Sequence, residues 1–138
     1  MTAQLVKGYL DAAMRRFGFV YTEKNGYAVL TAGLHGKRWK MAFSCGDDRL
    51  AIYAAYPGAI PHESRIRAAE RLNELNAQSG FGCFFLLETG RDCLIIYRCD
   101  VIIADEYSIT ECIEKGFKLT SAAICARWDI LGALDKSP

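Results

Sequence analysis

Six cysteines (Cys45, Cys83, Cys93, Cys99, Cys112 and Cys125) and two histidines (His35 and His62) are the side chains here best suited to nucleophilic or metal chemistry. A thiol nucleophile needs a base beside it, and a structural zinc site needs thiolates or imidazoles at short paired spacings. The sequence has no CxxC, and no Cys/His group has zinc-site spacing. His35 falls in the turn Gly33-Leu-His-Gly36 and His62 at a helix start, so both are expected to face solvent. Lys7, Asp11, Arg15 and Arg16 interrupt every apolar run near the start, so no secretory leader is legible. No stretch approaches the roughly 18–20 apolar residues of a membrane span. A cytoplasmic location is expected, where thiols stay reduced, and the cysteines read as small, soft core residues. Cys125 falls on the polar side of its helix and is expected to be the most accessible thiol.

The remaining candidates point to no reaction. Asp47-Asp48 reads as turn chemistry and lacks the further oxygen ligands of a calcium loop. Asp100 and Asp105-Glu106 read as solvated residues after a strand. The glycine-rich turns contain neither GK(S/T) nor GxGxxG. No catalytic, cofactor-binding or metal-binding residue is assigned, and no enzyme activity is expected. Lys37, Arg38 and Lys40 flank Trp39, a mixture that could grip a single-stranded nucleic acid. Strand alternation splits them, however, with Arg38 and Lys40 outward and Lys37 on the side of Trp39. Seventeen basic against sixteen acidic residues give a net charge of +1, which argues against a nucleic-acid partner.

The elements that position these residues follow from periodicity. Leu5, Tyr9, Ala12, Ala13 and Phe17 fall at helical spacing, and Gly18 follows as a stop. Asn25-Gly26 between two β-prone runs predicts a hairpin. Gly33 to Gly36 and Gly46-Asp47-Asp48 predict two more turns. RLAIYAAY places Leu50, Ile52, Ala54 and Tyr56 on one side and Ala51, Tyr53 and Ala55 on the other. Pro57-Gly58 and Pro61 punctuate. A second helix is expected from about His62 to Ser79, with Gly80 in the C′ role. Two strands follow, residues 82–88 and 92–103. Cys93 to Tyr97 is apolar on both parities, which predicts a central strand covered on both faces. Ser108-Ile-Thr-Glu111 reads as a capping box, opening one helix to about Leu134, roughly 27 residues or about 40 Å. The result is a single α+β domain over residues 1–138. Its sheet is mostly antiparallel with helices packed on it, in the order α-β-β-β(-β)-α-β-β-α.

Two helices carry unusual faces. On the second, a helical wheel centred on Ile66 puts Asn73 and Asn76 toward the core. Buried carboxamides need partners, so both asparagines are expected to pin the helix end to the sheet. On the last helix a broad apolar face runs from Ile109 to Leu134, with Arg127 projecting from it. A face about 40 Å long exceeds strands of roughly 17–27 Å, so apolar surface near Trp128 and Leu131 is expected to project beyond the sheet as an interaction site.

The layout, with LNELNAQSGFGCFFLL followed by a second strand and the Ser108–Glu111 opening, resembles the bacterial YbjN family. The carrying residues are Leu72-Asn73, Asn76, and the strands Cys83 to Glu88 and Asp92 to Val101. These proteins are described as sensory transduction regulators and share the fold of type III secretion chaperones. The resemblance implies a sheet packed by helices, frequent homodimers and protein binding rather than catalysis. The balanced charge departs from the acidic character of secretion chaperones.

The expected function is therefore a non-enzymatic chaperone-like or regulatory protein-interaction domain. Its partner would be another protein or a second copy, with no cofactor, nucleic acid or membrane involved. Trp39, Phe117, Arg127, Trp128 and Leu131 are the expected partner-binding residues. The alternative is an anion sensor with a pocket between the sheet and the C-terminal helix, where Arg127 would meet the ligand.

Overall fold

The computed structural model describes residues 1–135. Helix α1 (Ala3–Phe17) starts at Thr2, whose Oγ1 accepts from the Leu5 N–H at 3.2 Å. It stops at Gly18, which is left-handed (φ 79°) and donates its N–H to the Arg15 carbonyl. Strands β1 (Thr22–Lys24) and β2 (Tyr27–Leu34) are joined by Asn25 and Gly26, both at positive φ. His35 and Gly36 repeat that arrangement before β3 (Lys37–Gly46). Two-residue hairpins with both residues left-handed match the right-handed twist of the strands they join. Asp47 and Asp48 then lead into β4 (Arg49–Pro61).

Pro57-Gly58 does not end β4. The pairing with the sixth strand slips there, from Ala55 opposite Ile96 to Ala59 opposite Leu94. A proline lacks the donor a regular ladder needs, and a bulge tolerates that loss. A 3-10 turn (His62–Ser64) precedes α2 (Arg65–Ala77). Strands β5 (Cys83–Glu88) and β6 (Asp92–Ile102) follow, then a second 3-10 turn (Glu106–Ser108), α3 (Ile109–Ala126) and α4 (Trp128–Asp135). The six strands form one antiparallel sheet in the order β1-β2-β3-β4-β6-β5. The element order matches the sequence reading, with the optional fourth strand present and the last helix divided.

Three local expectations are corrected. Helix α2 ends at Ala77 through a right-handed Gln78, so Gly80 has no C′ role. The left-handed glycine of that loop is Gly82 (φ 44°), where a Cβ would lie 2.4 Å from the Arg98 carbonyl oxygen. Ser108 does not cap α3 with its side chain. The chain begins winding one turn earlier, and Asp105 accepts from the Ser108 N–H at 2.9 Å. Finally, the C-terminal helix is not one rod. It breaks at Arg127 (φ −106°, ψ 8°), and α4 lies against β4.

The core forms against one face of the sheet. Met41, Phe43, Ile52 and Ile95 contribute strand side chains, and Leu10, Leu72, Ile113 and Leu131 come from the four helices. Helix α3 approaches most closely at Gly116, where a Cβ would sit 2.6 Å from Ile52 Cδ1 and 2.8 Å from Val101 Cγ2. Alanine at this site gains about 1 kcal/mol of helix propensity, while overpacking costs about 1–3 kcal/mol. Gly116→Val, which adds more bulk for a smaller propensity gain, is expected to destabilise by about 2 kcal/mol or more in urea unfolding. A neutral result would show that the helix does not rest on these two side chains.

Candidate functional site

Successive side chains of a strand point to opposite faces, and here the helices fill only one. Alternation along β2 to β6 sends Val29, Ala42, Tyr53, Ala55, Ile96 and Phe85 to the other face. Their neighbours on the same strands (Leu30, Met41, Ile52, Ala54, Tyr97 and Phe84) belong to the core. The helix-free face holds a cavity of about 400 Å³. Among the described residues its lining comes only from strands and the Asn25 turn. Ala42 and Ala55 make a low floor in the middle of the sheet, while Val29 with Tyr27 rises on one side and Phe85 with Leu87 on the other. Lys40, opposite Ala55, and Lys24, opposite Tyr27, complete the lining. Leu87 is 48% exposed, and Ile102, on the same face, is 77% exposed.

The expectation that β6 is covered on both faces is therefore corrected. Cys93, Ile95 and Tyr97 face the helices, whereas Leu94 and Ile96 face the open side. Apolarity on both parities signals an uncovered apolar face here, not a sandwiched strand. The adjacent CFFLLE of β5 repeats the signal. These two strands and Tyr53 carry residues that were not singled out from sequence, because periodicity shows an apolar face without showing what lies on it.

The residues singled out from sequence lie elsewhere. Trp39 (2% exposed) and Leu131 (0%) are enclosed on the helix side. Trp128 is half-buried, its ring centroid 4.8 Å from that of Tyr56 and 6.2 Å from that of Trp39. Phe117 sits apart in a second aromatic cluster, stacked on Phe43 at 6.3 Å and tilted against Phe19 at 5.1 Å. Arg127 marks the bend between α3 and α4. The apolar surface expected beyond the sheet is thus consumed by folding α4 back over β4. This cavity opens on the face away from Arg127, not between sheet and C-terminal helix.

Asn76 and Asn73 separate. The Asn76 carboxamide donates from Nδ2 to the Phe84 carbonyl at 2.9 Å and accepts the Phe84 N–H at 2.7 Å. It pairs with β5, the edge strand, as a neighbouring peptide group would. Asn73 is exposed. It lies seven residues from Ile66, which is 66% exposed, so their shared stripe faces outward. The buried stripe of α2 is Ala68, Leu72 and Leu75.

No thiol here has the depressed pKa of an activated nucleophile among those with a resolved shift. Burial pushes Cys45 up to about 11 and raises Cys93, Cys99 and Cys125 as well. Cys125 is only half-exposed, and Cys83, on the open sheet face opposite Arg98, is the exposed one. Among the described residues no group of three His, Cys, Asp or Glu side chains could hold a metal, and no helix is long and apolar enough to cross a membrane.

No protein-family model matches this chain, and no curated protein does. Among solved structures it is similar to YbjN, a candidate transcription regulator from E. coli, with a TM-score of 0.65. The match covers 88% of this chain and 90% of that one at 13% identity. The chain has a YbjN-like fold.

Removing the Asn76 carboxamide leaves both polar groups of Phe84 without that partner. Asn76→Ala is expected to cost about 1–3 kcal/mol, and Asn73→Ala to stay within about 0.5 kcal/mol, both read by chemical denaturation. Equal effects would contradict the pairing. Thiol labelling at neutral pH is expected to modify Cys83 before Cys125, and Cys83→Ser should remove the fast phase.

Proposed function

We propose that this chain is a regulatory protein-interaction domain that binds its partner through the helix-free face of the sheet. The observation that carries the reading is the apolar cavity of about 400 Å³ lined, among the described residues, by the strands and the Asn25 turn. Large exposed apolar patches with polar rims mark interaction sites. The floor offers Ala42, Ala55 and Ile96, which give a partner apolar contact. The likeness to YbjN, a candidate transcription regulator, is compatible with a regulatory role.

An open face suits a macromolecule better than a small ligand. Small-molecule sites bury about 70–90% of their ligand, and a groove on a sheet surface leaves one side of a small ligand in water. That weighs against the anion-sensor alternative at this site. A second copy docked face to face would bring two faces of the same net positive charge together, so self-association would use other surfaces.

Selection from a random peptide library tests the reading. Peptides enriched on the native protein should be lost on Ala55→Glu and on Leu87→Glu, each checked for an unchanged circular dichroism spectrum. No enrichment, or enrichment unaffected by both substitutions, would overturn it.

A further inference from the structure

Charge is distributed unevenly over the molecule. Strand alternation places Lys24, Arg38, Lys40, Arg49 and Arg98 on the helix-free face. The same rule places two strand carboxylates there, Asp92 and Asp100. Asp100 is tied to Arg98 at 3.0 Å, and Asp92 lies at one corner opposite Pro61. Five cations against two carboxylates, on a chain of net charge +1, leave the rest of the molecule slightly acidic. The cations do not gather at one end. Lys24 and Lys40 line the groove on β1 and β3, Arg98 stands beside Tyr53 on β6, and Arg38 and Arg49 lie toward opposite ends of the sheet on β3 and β4. Apolar side chains occupy the space between them.

We infer that the occupant of this face is an acidic amphipathic segment of another protein, with an apolar stripe seated in the groove and carboxylates along its flanks. This rests on the reading that the face binds a protein partner. A frame of like charge around an apolar floor selects a ligand with the opposite frame, through complementarity that sets specificity and association rate. A second copy has the wrong charge. A single small carboxylate would engage one end of a frame that extends across several strands. A single-stranded nucleic acid would need free aromatic faces for stacking. The Tyr53 ring is already covered by the Arg98 guanidinium, 5.2 Å from its centroid. Tyr27 meets that ring edge-on at 5.9 Å. Leu94, Ile96 and Leu87 supply aliphatic surface that suits leucine or phenylalanine side chains.

Two synthetic amphipathic peptides with the same leucine stripe, flanked by glutamate in one and lysine in the other, provide the test by fluorescence anisotropy. The glutamate peptide is expected to bind at least tenfold more tightly at low salt. Its advantage should shrink as salt rises and be lost in the Lys24→Glu/Lys40→Glu double variant. Equal affinities that both disappear in Ala55→Glu would overturn the acidic partner and leave the face reading standing. Binding of neither peptide would overturn the acidic partner; peptide selection tests the face independently. Tighter binding of an oligothymidylate or of decanoate than of the glutamate peptide would overturn it in favour of that ligand class.

Discussion

The pleat of an antiparallel sheet gives every strand two faces, and this chain has helices for one. Four helices and five of the six strands share a single buried cluster on one side. Everything on the opposite parity must be satisfied by water or by another molecule. Polar side chains meet that condition at the periphery, where Thr31, Arg38 and Lys40 stand outward. The centre does not, because Val29, Tyr53, Ala55, Ile96 and Phe85 are mainly apolar and no described helix covers them, although packing within the sheet leaves Ile96 only 8% exposed. The groove is a direct consequence of that imbalance. Small alanines lie between larger residues, and the surface sinks where side chains are short.

The edge of the sheet is handled differently from its face. A free edge exposes backbone donors and acceptors that could template another strand. On β5 the Asn76 carboxamide occupies the Phe84 N–H and C=O. At the other end of that strand, Glu88 lies 3.6 Å from His62 and 4.0 Å from Arg65. Helix α2 therefore spans β5 from end to end and restricts access to its outer edge. Strand β1, at the opposite edge, is only three residues long. Beside these partly guarded edges, the helix-free face offers a continuous apolar groove.

The bend at Arg127 shows how packing overrides pattern. Nothing in the residues around it breaks a helix, as neither glycine nor proline intervenes between Thr120 and Ile130. A straight rod would carry Trp128 and Leu131 past the sheet. Bending places Trp128 against Tyr56 and buries Leu131 completely, and burying a side chain of that size is worth about 1.5–3 kcal/mol. The same accounting explains why Trp39 is enclosed, since the folded-back α4 and Trp128 lie over it.

Local chemistry was legible from sequence. The Asn25-Gly26 hairpin, the helix stop at Gly18, the alternation of RLAIYAAY and the α+β order depend on residues a few positions apart, and steric rules act at that range. Asn76 was legible too, because an amide on a helix's inner side must find a partner. Asn73 was not, because a wheel centred on Ile66 puts it inside while Ile66 itself is exposed, and hydrophobicity does not reveal which apolar residue a helix leaves outside. Tertiary structure alone decided that the last helix bends, that Trp39 and Leu131 are core, and that the apolar second face of β5 and β6 stays open. Those outcomes depend on which surfaces of distant segments meet, and a one-dimensional pattern records that a face is apolar without recording what covers it.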